Sequence, residues 1–323
     1  MLADKNLSTH LMTNRTTVTT FFLVGFTGCR AFQLSIFTSF LFLYIFTVLE
    51  NLVIVILVLQ DSRLHKPMYI FLGNLSFLEI WYVSVTLPNM LADIATENHE
   101  IAFGACLAQL YIFTFLGAAE CYLLAAMAYD RYVAICHPLR YTIIMQDKSV
   151  VWLLICSWTL GLLTATTTNW FLTRLDFCGT NQIEHYFCDA SPLVRLACGD
   201  KTTKELSDFI LSVVVLMSSL SVIFVSYTCI TVSIMKMPSS QGRRKAFSTC
   251  TSHLVVVCLF YGSMGITYMV ESEFSFSANK LVSIFHSVIT PTLNPIIYTL
   301  RNKDIKVALN RALKNSICLK IRS

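Results

Sequence analysis

The chain has 323 residues, 55% of them hydrophobic and 13% charged, with a formal net charge of +5. A soluble domain carries about 25% charged residues, so this composition excludes a water-soluble globular protein, and the aliphatic and aromatic content excludes a disordered one. With a mean hydropathy of +0.63 the sequence reads as a membrane protein, and its positive charge has to be located before it is taken as affinity for nucleic acid.

Residues 1–30 form a polar arm with two glycosylation sequons, Asn6-Leu7-Ser8 and Asn14-Arg15-Thr16, which are useful only in a lumenal or extracellular segment. The arm lacks a continuous apolar core before a cleavage site, so the first span is expected to serve as the signal. Spanning the hydrocarbon core takes about 20 apolar residues in a helix. Seven stretches qualify: Ala31–Gln60, Met68–Ala92, Ile101–Tyr129, Ser149–Thr173, Phe209–Met235, Ala246–Val270 and Leu281–Leu300. The first three each hold one acid, Glu50, Glu79 and Glu120, and the other four hold no charge. They are too long for barrel strands and lack the ten-residue alternation of a barrel. An all-α membrane protein follows, with a seven-helix domain over 31–300 and a tail over 301–323. A third sequon, Asn74-Leu75-Ser76, lies inside a span and is a decoy. No halves match as in an inverted-repeat transporter.

An odd number of spans puts the termini on opposite sides. Segments after spans one, three, five and seven hold sixteen Lys/Arg and four acids; the opposite side holds eight Lys/Arg and twelve acids. Cytoplasmic loops are enriched in Lys and Arg, so the C-terminus is expected in the cytoplasm and the N-terminus outside. That asymmetry accounts for the net charge and removes the nucleic-acid reading. The basic side includes Lys236, Arg243, Arg244 and Lys245, a loop that can meet anionic lipid or a G-protein C-terminus. In the tail, Ile305, Leu309, Ala312 and Leu313 share one face while Lys303, Lys306, Arg311 and Lys314 lie elsewhere, as in an amphipathic helix on a membrane. Cys318 beyond it is a palmitoylation candidate.

Four cysteines fall on the outer, oxidising side: Cys106, Cys178, Cys188 and Cys198. Four cysteines allow three pairings; placement favours Cys188 with Cys106, fastening the long outer loop to span three, and Cys178 with Cys198. A metal cluster of His185, Cys188 and Asp189 is the weaker reading, since Cys188 is needed for the bridge and no tetrahedral set is evident.

Five motifs occur in order: Asn51 in span one; Leu64-His65-Lys66-Pro67-Met68-Tyr69 opening span two; Met127-Ala128-Tyr129-Asp130-Arg131-Tyr132-Val133-Ala134-Ile135-Cys136-His137-Pro138-Leu139 ending span three; Lys245-Ala246-Phe247-Ser248-Thr249-Cys250-Thr251-Ser252-His253-Leu254 opening span six; and Pro291-Thr292-Leu293-Asn294-Pro295-Ile296-Ile297-Tyr298 in span seven. Over roughly residues 20–315 the chain resembles the vertebrate odorant (olfactory) receptors of the rhodopsin-like G-protein-coupled receptors. It departs from them in Glu79, where Asp is usual, and in Glu50, where a small residue is usual.

The resemblance implies a plasma-membrane receptor for small odorants that activates the olfactory stimulatory G protein and raises cyclic AMP. It implies a pocket among the outer halves of helices three, five, six and seven. Leu110, Thr114, Gly117 and Ala118 share one face of helix three, bordered by Phe113; Leu211, Ser212 and Val215 line helix five; Tyr261 forms the floor, with Met264, Gly265 and Tyr268 above it. None of these is charged, which points to neutral, largely apolar ligands; Asp189 on the lid is the one carboxylate that speaks for an amine. Arg131 is the implied switch, paired at rest with Asp130 and flanked by Tyr132, with Tyr227, Asn294, Pro295 and Tyr298 repositioning on activation. Asn51, Glu79, Glu120 and Asn294 are the implied mid-membrane site for Na⁺ or a shared proton; no other metal and no cofactor is expected. Enzyme signatures such as Gly-x-Ser-x-Gly or His-Glu-x-x-His are missing from the sequence. An intramembrane protease or a proton-coupled transporter using Glu79 and Glu120 leaves Asp130-Arg131-Tyr132 unexplained. A related chemosensor acting outside the olfactory epithelium shares all the physics of the leading reading.

Overall fold

The computed structural model describes residues 18–26, 28–178, 180–273, 276–301 and 303–322, without the side chains of 245, 249, 267–273, 276–279, 300, 301, 303 and 315–322. The expectations for Asn6, Asn14, the Tyr268 side chain and the Cys318 side chain therefore lie outside the described residues.

Among the described residues, seven helices are long and apolar enough to cross a membrane. Helices α1 (Arg30–Gln60), α2 (Pro67–Thr96), α3 (Phe103–Cys136), α4 (Asp147–Leu172), α5 (Thr202–Met235) and α6 (Ser240–Glu273) come first in the chain. The helix α7 follows as Phe276–Ile284, a single π-helical turn Phe285–Ile289 and Thr290–Arg301, and a further helix, α8, covers Lys303–Arg322. Local chemistry sets several ends. Pro67 stands in the first turn of α2, where its missing N–H costs nothing, and Glu97 ends that helix in the left-handed region at φ 56°. The helices overrun the apolar stretches read from sequence. Helix α5 starts at Thr202 rather than Phe209 because Lys204 and Asp208, one turn apart, pair at 2.5 Å along its outer end.

Helix α3 threads the middle of the bundle. Leu123, Leu124 and Val133 are each at most 1% exposed, and the run of Ala and Gly on α3 lets its neighbours approach closely. Gly161 on α4 needs that closeness: a Cβ there would lie 2.8 Å from the Phe115 carbonyl oxygen and 2.9 Å from Ala119.

A second layer caps the end of the bundle that holds the long loop. Strand β1 (Thr20–Leu23) pairs antiparallel with β2 (Glu100–Ala102), matching Phe21 to Ile101, and parallel with β4 (Gln182–Ile183), matching Leu23 to Ile183. Strands β3 (Asp176–Phe177) and β5 (Ala197–Cys198) form a second, antiparallel pair. The arm read from sequence as a polar extension thus contributes the central strand of a sheet. Phe21, Leu23 and Ile183 are at most 1% exposed and pack with Leu110, Leu172 and Leu193.

Candidate functional site

The lid is fixed covalently first. Cys106 at the start of α3 is bonded to Cys188, and Cys178 to Cys198. Gln109, one turn beyond Cys106, donates to the Val85 carbonyl of α2 at 2.7 Å and accepts from the Cys188 backbone N–H at 2.9 Å. Lys280 at the start of α7 donates to the Val24 and Gly25 carbonyls at 2.7 and 2.9 Å, tying the N-terminal strand to the bundle.

Between Ile183 and Asp189 the loop turns inward. His185, Tyr186 and Phe187 are at most 3% exposed. Phe187 packs at a tilt against Phe113, and Phe113 against Tyr82, each with ring centroids 4.8 Å apart. Ser287 donates to the Ser283 carbonyl at 2.7 Å, so Tyr186 donates to the Ser287 oxygen at 2.8 Å. The Phe187 N–H points to His185 Nδ1, which leaves Nε2–H to reach Ser283 Oγ at 3.1 Å. Burial first, and then the positive charge of Lys280, pushes the His185 imidazole down to about 3, so it stays neutral. Asp189 accepts from the Ala190 N–H at 2.7 Å and caps the two-turn helix Ala190–Leu196. Its burial raises its affinity for a proton above the usual carboxylate range. Among the described residues no group of three His, Cys, Asp or Glu is placed to hold a metal.

Below the lid, polar side chains link helices in a definite direction. Ser263 on α6 donates to the Phe260 carbonyl at 2.8 Å, so its oxygen accepts from His286 Nδ1–H at 3.0 Å, and the other ring nitrogen accepts from Tyr82 Oη–H at 3.0 Å. This chain of donors joins α2, α7 and α6 through a neutral histidine in the π turn, a device that recurs at functional sites. Tyr261 donates to Ser219 Oγ on α5 at 2.8 Å.

The residues read from sequence as a pocket fall into groups. Ala118, Val215, Tyr261 and Met264 meet in one apolar cluster. Gly117 faces Tyr82, whose hydroxyl would lie 3.6 Å from an added Cβ, and Phe113 joins the same aromatic cluster. Thr114, Leu211 and Ser212 are half-buried, and Gly265 is exposed with open space at its Cβ position. Leu110 sits apart, inside the outer cluster with the Cys106–Cys188 bridge. None of Tyr82, Tyr186, Phe187, His286 and Ser287 was expected from sequence, and His185 only as a weak metal ligand. A signal was present for His286: an ionisable side chain in an apolar span is a functional candidate by default.

At mid-bundle Asn294 Nδ2 donates to Glu79 Oε1. Asn51 does not join that pair directly; its Nδ2 donates to the Thr47 and Pro291 carbonyls at 3.0 and 3.4 Å. Among the described residues, the buried oxygens Asn51 Oδ1, Glu79 Oε2, Glu120 Oε1 and Asn294 Oδ1 have no hydrogen-bond partner, and neither does Glu50 Oε1. Glu79 lies within electrostatic range of both Glu120 and Glu50. This set of hard oxygens fits a small cation such as Na⁺.

At the basic end, Asp130 accepts from Tyr141 Oη at 2.7 Å and faces Arg131 Nε at 4.0 Å. Tyr227 Oη lies 2.7 Å from His253 Nδ1, and the Tyr298 hydroxyl is buried without a partner. The Arg131 charge reaches both tyrosines. Tyr132 bonds His137 at 3.0 Å, and Pro295 is inside α7.

Residues 40–316 match the family model for "Olfactory receptor". Olfactory receptor 11L1 of Homo sapiens is 48% identical over 302 residues, 93% of this chain and 94% of that protein. Olfactory receptor 6B1 of Homo sapiens is 48% identical over 92% of this chain and 96% of its own length, and Olfactory receptor 226 of Rattus norvegicus is 48% identical over 92% of each. The crystal structure of squid rhodopsin superposes with a TM-score of 0.73 at 16% identity, over 90% of this chain and 88% of that one, a likeness of fold.

Proposed function

The chain belongs to the olfactory receptor family, and on that premise we propose that it binds small, neutral, largely apolar odorants among α3, α5, α6 and α7 and activates the olfactory stimulatory G protein, raising cyclic AMP. As a seven-span member of that family it is a multi-pass plasma-membrane receptor and not an enzyme. Its N-terminus is extracellular and its C-terminus cytoplasmic in this reading, in keeping with the Lys/Arg asymmetry and with two disulfides that need an oxidising side.

One observation carries the ligand class. The proposed lining of Phe113, Thr114, Gly117, Ala118, Leu211, Ser212, Val215, Tyr261, Met264, Gly265 and Tyr268, with Leu110 at its outer edge, brings hydroxyls and apolar surface but no charge. Asp189, the carboxylate that would have spoken for an amine, is engaged in capping a helix. Odorant orientation then falls to the hydroxyls of Thr114, Ser212, Tyr261 and Tyr268.

Signalling is a shift between two states, driven only by the difference in odorant affinity for them. Tyr261 joins the pocket floor to Ser219 on α5, so an odorant that moves its ring changes how α6 sits against α5. At the far end Arg131 leaves Asp130 to meet the G protein, and Tyr227 and Tyr298 close on the space it vacates, with Tyr132, Asn294 and Pro295 allowing the local rearrangement. Na⁺, when held by Asn51, Glu79, Glu120 and Asn294, supplies a positive charge that favours the resting packing of those oxygens.

The test is a cyclic AMP reporter in cells that co-express the stimulatory G protein, with surface display measured, against a panel of neutral odorants. A dose-dependent response that disappears in Arg131→Ala at unchanged display is expected. Full signalling from Arg131→Ala would remove the switch assignment.

A further inference from the structure

A cavity of about 780 Å³ opens between α5 and the start of α6, lined by Ile234, Arg243, Arg244, Phe247, Ser248 and Thr251. Its α6 wall belongs to the outward face of that helix. Arg244, Phe247, Ser248, Val255 and Cys258 are exposed and recur at helical spacing, whereas Cys250, His253, Val256 and Val257 turn into the bundle. Phe247 is 64% exposed and Met235 on α5 is 74% exposed. On its α6 side the cavity therefore faces outward, as the lipid-exposed face of a spanning helix does, while on its α5 side Ile234 is buried beside Tyr132, Ile135 and Cys136.

Its rim is cationic and lacks a countercharge of its own. Arg243 turns one guanidinium N–H to the Met237 carbonyl at 3.2 Å. No Asp or Glu occurs between Asp208 and Glu271, so α5, α6 and their connection bring no acid to this end. Two guanidiniums above an apolar, membrane-facing slot match the two halves of an anionic lipid.

We propose that this cleft binds one anionic phospholipid of the cytoplasmic leaflet. Its phosphorylated headgroup lies between Arg243 and Arg244, with the Ser248 hydroxyl as a further donor, and one acyl chain runs along Phe247, Thr251 and Val255. The proposal rests on the cytoplasmic placement of the basic side given above. A lipid wedged between α5 and α6 favours whichever state of the receptor holds the wider cleft.

The test uses the full-length receptor in phosphatidylcholine nanodiscs carrying a small fraction of fluorescent phosphatidylinositol bisphosphate, with no odorant and no G protein present. Binding is read by energy transfer from a label on the receptor. The Arg243→Gln/Arg244→Gln double variant is expected to weaken binding about thirtyfold. Phe247→Asn should weaken it too, and the Arg140→Gln/Lys148→Gln pair, equally basic and exposed, should leave it unchanged. Equal loss in both double variants would reduce the site to diffuse surface charge and overturn the proposal. Full competition by soluble inositol trisphosphate with no effect of Phe247→Asn would overturn it in favour of a free phosphate. Displacement of the lipid by a G-protein C-terminal peptide, itself weakened by the arginine changes, would overturn it in favour of a protein docking surface. Because neither odorant nor G protein enters this assay, lipid binding by a receptor silent to every odorant would sink the functional reading alone.

Discussion

Tyr186 in the lid and Tyr298 near the basic end are both buried tyrosines, 1% and 8% exposed, yet their hydroxyls are treated differently. Tyr186 donates to Ser287, which in turn donates a hydrogen bond to the Ser283 carbonyl; the Tyr298 hydroxyl has no hydrogen-bond partner. The contrast extends to their surroundings. The lid is held by two disulfides, a three-stranded sheet, an aromatic cluster and directed hydrogen bonds. From mid-bundle inward, Glu79, Glu120, Asn294 and Tyr298 keep buried polar atoms unpaired, and Arg131 stands off Asp130 at 4.0 Å. Each buried polar group without a partner costs about 1–3 kcal/mol, and a rearrangement that pairs it recovers that energy. A chain organised this way can hold its lid end still and change state at the other.

Unfastening the lid should have the largest effect. Cys188→Ser should cost about 2–5 kcal/mol and be read as a steep loss of surface display. Unchanged folding would mean that the bridge to Cys106 does not hold the lid.

Acid attacks the same end more gently. Folded His185 stays neutral because burial and Lys280 push it down to about 3, while in the unfolded chain it protonates near its ordinary value of about 6.5. Below that value the unfolded state takes up the extra proton. The contribution is thus fully present above about pH 6.5 and is lost as pH falls toward 3, about 2 kcal/mol of it by pH 5. Thermal melting of purified receptor between pH 7 and pH 5 should show the loss, and His185→Gln should flatten it. A slope that persists in His185→Gln would assign it to another group.

The smallest effect separates the two tyrosines. Tyr186→Phe should lower stability by about 1 kcal/mol. Tyr298→Phe should leave stability unchanged or raise it slightly, because it deletes a hydroxyl that has no partner, while reducing odorant-driven cyclic AMP. Equal melting shifts for the pair would erase the contrast between the two ends.

Much of this fold is legible in the sequence because lipid imposes a simple rule: long apolar stretches become helices. What escaped follows a different logic. Thr20–Leu23 is four residues long, and its partners near Glu100 and Gln182 are distant in the chain, so no local pattern announces β1. The outer end of α5 was missed because Lys204 and Asp208 break the apolar run yet stabilise the helix as a pair. In the candidate site, Tyr261 and Arg131 could be found from motifs. His286 and Tyr82 could not be paired from sequence, since their bond joins helices 204 residues apart. Leu110 shares its helix face with Thr114 and Gly117, but the disulfide at Cys106 draws the outer turn of α3 into the lid.

Odorant binding is expected to leave the lid rigid and to rearrange the basic end. Hydrogen–deuterium exchange of the purified receptor, with and without an odorant that activates the reporter, measures this directly. The prediction is unchanged protection across β1, β2 and β4 together with altered exchange at the ends of α5, α6 and α7 nearest Arg131. Altered exchange in the lid strands with none near Arg131 would contradict it.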